Sequence, residues 1–589
     1  MTKIFTCTVL SVFIILVSCS GKKPAETSQE ETTKGGILRG GVLNVNEIDH
    51  FKSLMPIAIS EQNSYHIASQ IYEGLVKYNP FDLSLVPGIA KSWTISPDQT
   101  EYTFFLRTNA KFHDDPCFET GKGRYATASD VKYSFESLCS VNLNNTQFDI
   151  TFRDRVVGAN ENYNESGSGK VHSISGVSVI NDSCLKIKLV GPEPNFLNIL
   201  AMPGCYIYPR EAGLTYGNQL RIHCVGTGPF YLEKLKEGEF VDLKRNKDYW
   251  GRDIHGNRLP YLDGIHWTFL PDKSTELEAF RSGQLDVVYN TPIDLLQRTL
   301  GVIQDGSDSH LDFDIYTSPA LSTHFYGFNV QMNPFFSIRE IRRAFNLAID
   351  RQKLANVTLK REGSAAIYGI VPYTKSFEKS NYNYKTLRGF VFDPDSARKL
   401  LELSGYPGGK GLPDFTLEIN SGGGERNLML ALAVQKMLKD NLGLNVNLSV
   451  LPWSQHLNNV NSGKSDFFRY TWVSDYPDPE SFLTLFYGPH VPEKLEQQSF
   501  VNVGRYKNKA FDTLFLQARF ELNKSKRYEL LQKAEQVLLD DAAMMPLFYD
   551  ENSRLVKKNV KNFRENPMAY MDMSFVYFSP QKKSQTLSQ

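Results

Sequence analysis

Beyond its first residues the sequence lacks any apolar run long enough to cross a membrane, and it lacks the motifs of several enzyme classes. The eleven histidines include no His-Glu-x-x-His pair, so the common zinc-protease helix is excluded. A Gly-x-Ser-x-Gly nucleophile turn is also missing. The nearest approach to a phosphate loop, Gly167-Ser168-Gly169-Lys170, continues with Val171 where that motif requires Ser or Thr. These absences argue against an enzyme, and no catalytic residue is predicted.

An excess of charge is missing too. The 65 basic residues match the 65 acidic residues, so the formal net charge is zero. A balanced surface gives no electrostatic reason to expect a nucleic-acid partner. No His or Cys spacing suits a zinc site, so neither a metal nor another cofactor is expected.

The N-terminus has the pattern of an export signal. Lys3 precedes an apolar run at 4–17, which is shorter than the roughly 20 residues of a membrane span and fits a signal peptide. The following Leu16-Val17-Ser18-Cys19 resembles a bacterial lipobox, in which Cys19 would carry a lipid after removal of residues 1–18. The alternative is an ordinary cleaved signal with a chance cysteine. Residues 19–36 are almost free of apolar side chains and predict a flexible tether. We therefore expect a body lipid-anchored on the periplasmic or extracellular face of the cell envelope.

Cysteine is scarce in the expected body. Removal of Cys7 and lipidation of Cys19 leave five cysteines: Cys117, Cys139, Cys184, Cys205 and Cys224. Because five is odd, at least one thiol is free or pairs outside the chain. Export permits disulfides, and our first hypothesis pairs Cys205 with Cys224.

Length and periodicity predict a mixed α/β protein of two or three domains. Alternation of apolar and polar residues predicts strands at 102–106, 184–189 and 444–450. Helical spacing predicts helices at 338–350, 395–404, 427–441 and 526–541. Because strands recur late in the chain, we expect lobes that the chain enters more than once.

Several short motifs occur in a fixed order along nearly the whole chain. They include 72–76 (YEGLV), 87–93 (PGIAKSW), 226–230 (GTGPF), 245–251 (RNKDYWG), 342–351 (RRAFNLAIDR) and 472–479 (WVSDYPDP). From about Gly40 to Tyr577 the sequence thereby resembles the family 5 extracellular solute-binding proteins, the oligopeptide, dipeptide and nickel binders of ABC importers. In 226–229 the glycines are interpreted as a turn signal that permits positive φ.

The resemblance implies an α/β fold of two hinged lobes, the periplasmic-binding-protein fold of type II and cluster C, with an extra subdomain on the first lobe. Lobe I would combine 37–72, 210–321 and 553–580, followed by a C-terminal tail to 589. The subdomain would be 73–209, and lobe II would be 322–552. A monomer is expected.

The resemblance also implies the cargo, which would be short peptides delivered to the permease and ATPase subunits of an importer. In peptide-binding relatives the acid of the Trp-x-x-Asp-Tyr motif accepts the α-amino group, and here that acid is Asp475. Trp472 would wall the cleft, and backbone from Thr471 to Val473 would pair with the ligand. Arg469 would meet the carboxylate of short ligands. Further candidates are Tyr470 and Asn427, with Ser60, Glu61 and Gln62 facing from lobe I. The arginines at 342 and 343 are predicted to be structural.

Alternatives and departures remain open. A nickel-chelate, haem or sugar binder could use the same fold, although those cargoes would leave Asp475 without a purpose. A peptide-sensing or chaperone-like lipoprotein without a transporter is the alternative from another class. The sequence departs from the family by an insertion at 117–127 and by the lack of a cysteine near Trp472.

Overall fold

The computed structural model describes residues 31–167, 173–291, 312–360, 362–374, 377, 382–421 and 425–580. The predicted signal peptide and Cys19 lie outside these ranges. None of the helices in them is both long and apolar enough to span a bilayer. The fold is mixed α/β, as predicted.

The strands, in chain order, are β1 Glu31–Thr32, β2 Leu38–Arg39, β3 Val42–Asn46, β4 Val76–Tyr78, β5 Leu85–Pro87, β6 Ala90–Ile95, β7 Glu101–Leu106, β8 Val177–Asn181, β9 Cys184–Lys188, β10 Phe230–Lys236, β11 Phe240–Arg245, β12 Gly264–Thr268, β13 Val287–Tyr289, β14 Phe313–Phe328, β15 Gly363–Ala365, β16 Phe415–Asn420, β17 Val446–Leu451, β18 Phe467–Val473, β19 Met544–Lys557, β20 Val560–Lys561 and β21 Tyr577–Phe578.

The α-helices described are α1 Gln62–Ile71, α2 Ala128–Leu138, α3 Phe148–Thr151, α4 Ala159–Ser166, α5 Phe196–Leu200, α6 Arg210–Tyr216, α7 Lys273–Arg281, α8 Arg339–Leu347, α9 Arg351–Lys353, α10 Pro394–Leu403, α11 Arg426–Leu442, α12 Trp453–Asn461, α13 Glu480–Leu483, α14 Lys509–Phe520 and α15 Lys524–Asp540. The predicted strands and helices are confirmed to within a few residues.

One large sheet joins the two halves of the molecule. Its order is β10-β11-β12-β3-β13-β19-β14-β18-β16-β17, with β15 paired to β19. We call the half built on β3 and β10–β13 lobe I, and the half built on β15–β18 lobe II. A separate four-stranded sheet, β6-β7-β9-β8, belongs to a third part that we call the subdomain. The domain boundaries proposed from the sequence stay predictions.

Two long antiparallel strands, β14 and β19, run from one lobe into the other. The first part of β14, Phe313 to Pro319, pairs with residues 551–557 beside lobe I. Its last part, Thr323 to Gly327, pairs with residues 544–549 beside lobe II. The register shifts between Pro319 and Thr323, where the ladder is interrupted. Because such an irregularity bends a strand pair, the two lobes are joined at this bend.

Sequence features explain the helices that frame lobe II. In α8, Ile341 and Phe345 are one turn apart on the same face and are fully buried, as the helical spacing predicts. Helix α11 ends where Gly443 adopts a φ of +73°, a conformation that costs glycine little. Arg342 is also buried and donates to the main-chain oxygens of Phe336 and Ala542, so its predicted structural role is confirmed.

Three expectations need correction. The Cys205–Cys224 disulfide is wrong: all five cysteines in the described ranges are free thiols. Cys224 faces the hydroxyl of Tyr72, and Cys205 lies nearer Cys139, so the two side chains have different neighbours.

The glycines at 226 and 228 do not adopt positive φ. A Cβ on Gly226 would lie 2.1 Å from the carbonyl oxygen of Ile71, and one on Gly228 would lie 2.6 Å from it. These glycines therefore allow two backbones to approach closely, which the turn interpretation missed.

The last part of the predicted tether is folded. Strand β1 pairs with β2, and the Glu31 carboxylate lies 3.0 Å from the Arg39 guanidinium. The side chain of Asn257 fixes the loop between these strands, because it bonds to both backbone groups of Lys34. Residues 31–36, which the sequence assigned to the tether, therefore belong to the folded body.

Candidate functional site

A cleft of about 800 Å³ lies between the lobes. Lobe I contributes most residues of the segments 48–52 and 59–65, and the subdomain contributes Thr146, Gln147, Ile150 and Pro203. Lobe II contributes the segment at 469–475 with parts of α11 and α12. All ten residues proposed as ligand-binding line this one cleft: Ser60, Glu61, Gln62, Asn427, Arg469, Tyr470, Thr471, Trp472, Val473 and Asp475. The structure thus brings together residues more than 400 positions apart in the sequence.

Strand β18 presents a free edge to the cleft. On one side it pairs with β14 along its whole length, from Phe467 to Val473. On the other side β16 pairs only with Phe467 and Phe468, so the strand has no partner strand there from residue 469 onward among the described elements. The N–H of Ser474 bonds back to Leu321, and backbone groups alternate between the two sides of a strand. The N–H and C=O groups of Thr471 and Val473 therefore point toward the open edge.

Asp475 follows this strand, and its carboxyl group has no counter-ion among the described residues. Its N–H donates to the hydroxyl of Ser481 over 3.0 Å, but within the described ranges nothing donates a hydrogen bond to its carboxylate. Burial raises the pKa of this carboxyl to about 7. The carboxylate accepts no hydrogen bond from the turn before Pro477. An acid in this environment gains most from a cation that enters the cleft.

Aromatic side chains surround the acid. The Trp472 indole is half-buried and donates to Ser481 over 3.4 Å, so it forms a wall of the cleft instead of filling the core. Tyr470 packs its ring against Phe325 at 5.6 Å, and the charge of Asp475 adds to burial in raising the pKa of Tyr470. These rings limit the access of water to the acid, which is half-buried and lines the cleft.

Arg469, at the other end of the same strand, is held by neutral partners. Its guanidinium donates to Asn420 Oδ1 at 2.8 Å and to Thr471 Oγ1 at 2.9 Å. Burial, together with the nearby Arg426, lowers its pKa to about 10. No carboxylate in the described part of the chain lies within ion-pair distance of this guanidinium. Arg469 is therefore a positioned cation, not a solvated strand arginine.

A second charged group behind Arg469 escaped the sequence analysis. Asp550 accepts from Arg426 at 2.9 Å and from His324 Nε2 at 2.8 Å. Burial raises the pKa of Asp550, but these two neighbours outweigh burial and hold it below its usual range. Because a carboxylate can only accept, Nε2 of His324 carries the proton and Nδ1 accepts from the Thr471 hydroxyl at 2.9 Å. Three distant segments meet here, so no local pattern could have revealed this group.

The remaining candidates line the cleft with less defined roles. Asn427 is buried near the start of α11, and its amide nitrogen lies 3.4 Å from Asn420 Oδ1. Ser60 and Glu61 precede α1 on the lobe I side, and the backbone of Glu61 is extended. The Glu61 carboxylate accepts a hydrogen bond from the N–H of Lys52 at 2.9 Å, so it stabilises the lobe I segment before α1. Within the described ranges no cluster of three or more potential metal ligands occurs.

Two lobes around a common cleft, joined by a bent pair of strands, define a ligand-binding protein of the hinged type. The family model for bacterial extracellular solute-binding proteins, family 5 (middle), matches residues 84–492. The chain therefore belongs to the family 5 extracellular solute-binding proteins, and the resemblance seen in the sequence is confirmed.

Similar proteins are known in several bacteria. The dipeptide-binding protein DppE of Bacillus subtilis is 27% identical over 96% of this chain and 97% of its own length. The periplasmic oligopeptide-binding protein OppA of Salmonella typhimurium is 29% identical over 87% of this chain and 88% of its own.

Among solved structures, the periplasmic oligopeptide-binding protein OppAIV of Borrelia burgdorferi superposes with a TM-score of 0.78 at 26% identity. That match covers 91% of this chain and 100% of that protein. The Helicobacter pylori protein DppA, in complex with the peptide STSA, also gives a TM-score of 0.78. That match covers 92% of this chain and 98% of the Helicobacter pylori protein. At 23% identity it supports only the fold.

Proposed function

We propose that this chain captures short peptides between its lobes and delivers them to the permease and ATPase subunits of an ABC importer. Family membership and the names of its relatives support this proposal. The observation that carries it is the placement of Asp475 and Arg469 along the free edge of β18. Both are half-buried, their charges are of opposite sign, and neither has an ion-pair partner among the described residues. A peptide supplies the matching ammonium, carboxylate and backbone.

The peptide would bind as an added strand, with its α-amino group at Asp475 and its carboxylate toward Arg469. The backbone groups of Thr471 and Val473 would pair with the peptide backbone, which every sequence shares. An ammonium–carboxylate hydrogen bond is about twice as strong as a neutral one, so the termini would fix the direction of the peptide. Six residues of extended chain span at most about 20 Å, so the two charges suit a ligand of a few residues.

Native mass spectrometry of the purified protein tests this function directly. We expect a co-purifying mixture of short peptides, and we expect Asp475→Ala to lose it. A mixture that survives unchanged in the variant contradicts the proposed amine site. Detection of a metal chelate, a haem or a sugar instead would favour the alternative cargo on the same fold.

We further propose that the chain has no catalytic activity and that import energy comes from the partner ATPase. A synthetic peptide incubated with the protein should then be recovered intact. A neighbouring pair of permease and ATPase genes would support transport, whereas their absence would favour a peptide-sensing or chaperone-like lipoprotein.

Attachment to the membrane through a lipid on Cys19 is also a proposal, supported by the lipobox pattern. Substitution Cys19→Ser should release the protein from the membrane fraction. A variant that stays bound to membranes would contradict the anchor.

A further inference from the structure

A cluster of six charged side chains is buried where the subdomain meets lobe II. Its members are Arg155, Glu193, Asp478, Glu480, Arg519 and Arg527, and each is at most 5% exposed. Three arginines face three acids, so the cluster is neutral as a whole. Such a cluster is costly to desolvate and is stable only when every charge has a partner.

Two of the ion pairs cross from the subdomain to lobe II. Arg155 lies 3.2 Å from the Glu480 carboxylate, and Glu193 lies 3.3 Å from the Arg519 guanidinium. Asn195 adds a hydrogen bond of 2.9 Å to Glu480. The subdomain is connected along the chain to lobe I, not to lobe II, so chain connectivity alone does not impose these contacts.

Within lobe II, Glu480 also forms an ion pair with Arg527. Arg527 lies 2.6 Å from Glu480 and 2.7 Å from Asp478. Burial raises the pKa of Glu480, but Arg527 and Arg155 outweigh burial and hold it at about 2. Glu480 is therefore ionised, and it links the subdomain to the core of lobe II.

The cluster is connected to the proposed amine site through α13. Glu480 is the first residue of α13, and the next residue, Ser481, accepts from the Asp475 N–H and from the Trp472 indole. The Tyr476 hydroxyl, beside Asp475 in the chain, donates to Glu480 over 3.3 Å. A shift of Glu480 would therefore move both the acid and the wall of the cleft.

We propose that Arg155 and Glu193 of the subdomain clamp lobe II through these ion pairs and thereby position Asp475 for the peptide amine. This inference rests on the proposed function, because it concerns the acid that would hold the ligand. Arg155 and Glu193 are positioning residues and do not touch the peptide. The contacts of the subdomain with lobe II then hold α13 in place at the amine end of the cleft.

The first test compares a trialanine peptide with its N-acetylated form on Arg155→Met. We expect the free peptide to bind about 10- to 100-fold more weakly, with faster dissociation, because Glu480 loses a charged partner. The ratio of affinities for free and acetylated peptide should fall toward one. A purely structural role would weaken both peptides in parallel, and an unchanged ratio overturns the proposal.

The matched control is Arg153→Met. Arg153 lies two residues away and forms an ion pair of 2.6 Å with Asp149 inside the subdomain. It does not take part in the six-residue cluster, so its removal should leave the ratio at the wild-type value. If Arg153→Met lowers the ratio as much as Arg155→Met does, the clamp is contradicted.

A second variant and a second measurement keep the proposal testable if Arg155→Met folds poorly. Arg155→Lys keeps the charge but loses the planar fork, so an intermediate loss is expected. Hydrogen exchange at 475–483, measured on protein stripped of ligand, should be faster in both variants than in wild type. Wild-type exchange in both variants overturns the clamp.

These results separate the clamp from the proposed function. If the wild type binds no peptide, the proposed function fails, and exchange at 475–483 still decides the clamp. If the wild type binds peptide and Asp475→Ala does not, but the Arg155 variants match the wild type, the clamp alone fails.

Discussion

The two ends of the cleft carry opposite charges and are prepared for a ligand in different ways. At one end Asp475 stands among aromatic rings with no hydrogen bond to its carboxylate from the described residues, and its pKa is raised to about 7. At the other end Arg469 is fixed by two neutral partners and backed by the Asp550 group. The ionised acid would be stabilised only by the ligand, whereas the arginine already donates hydrogen bonds to protein groups. The amine end should therefore dominate affinity.

The largest expected effect is on affinity at the amine end. Asp475→Asn keeps the shape of the side chain but removes its charge. Peptide affinity should fall by about 100- to 1,000-fold, or about 3–4 kcal/mol, because a buried ammonium would lose its counter-ion. Isothermal titration calorimetry measures this change.

Asp272→Asn is the matched control for this substitution. Asp272 also lines the cleft, but its carboxylate caps α7 by accepting from the N–H of Thr275. Asn caps helices about as well as Asp does, so affinity should stay close to the wild-type value. Equal losses in the two variants would mean that general cleft charge, not the amine site, governs binding.

Stability of the ligand-free protein should change in opposite directions at the two ends. The pKa of Asp475 is about 7 in the fold and about 4 when unfolded, so its ionisation destabilises the fold progressively as pH rises from about 4 to 7. Asp475→Asn should therefore stabilise the protein at pH 8 by about 2 kcal/mol, allowing for partial access from the cleft.

Asp550→Asn should instead destabilise the protein by about 2 kcal/mol, because it leaves the partly buried Arg426 without its acid. Thermal unfolding at pH 8 should give a higher melting temperature for the first variant and a lower one for the second. Shifts of the same sign would remove the contrast between the two ends.

A smaller effect is expected at the carboxylate end. Arg469→Met should weaken a peptide with a free C-terminus by about 10- to 30-fold, because the ligand replaces none of the arginine's protein contacts. A C-terminally amidated peptide should lose much less. The ratio of the two dissociation constants measures the effect, and an equal loss for both peptides would place the carboxylate elsewhere.

The smallest effect is on pH dependence. Below pH 7 the empty site holds Asp475 protonated, so binding of an ammonium must release that proton. Affinity should be about tenfold lower at pH 6 than at its maximum near pH 7.5, since one pKa unit corresponds to a factor of ten. Titrations in buffers of different ionisation enthalpy detect the released proton. A profile in Asp475→Asn identical to the wild type would assign the titration to another group.

The sequence predicted the neighbours of Asp475 far better than those of Arg469. Asp475, Trp472 and the strand before them lie within one contiguous motif, so a local pattern places them together. Asp550 and His324 lie on β19 and β14, and only the pairing of those strands brings them to Arg469. No spacing within the sequence predicts that Asp550 and His324 lie near Arg469.

Errors at the sequence level have a common physical source. The Cys205–Cys224 hypothesis and the turn interpretation of Gly226 both used short separations along the chain. The surroundings of these residues are instead determined by tertiary contacts: Tyr72 lies beside Cys224, and the backbone of Ile71 lies against Gly226. Helices were predicted well because their spacing is local.

The long strand β19 has a consequence for how the chain matures. Strand β3, at residues 42–46, connects to the lobe II side of the sheet through β13, and β13 pairs with β19 at residues 554–556. A ribosome therefore makes the first strand of the central sheet some five hundred residues before the strand that bridges both halves. Contacts of such high sequence separation form late and slowly. We expect nascent chains interrupted before residue 544 to remain protease-sensitive throughout, even though they already contain nearly all of the cleft.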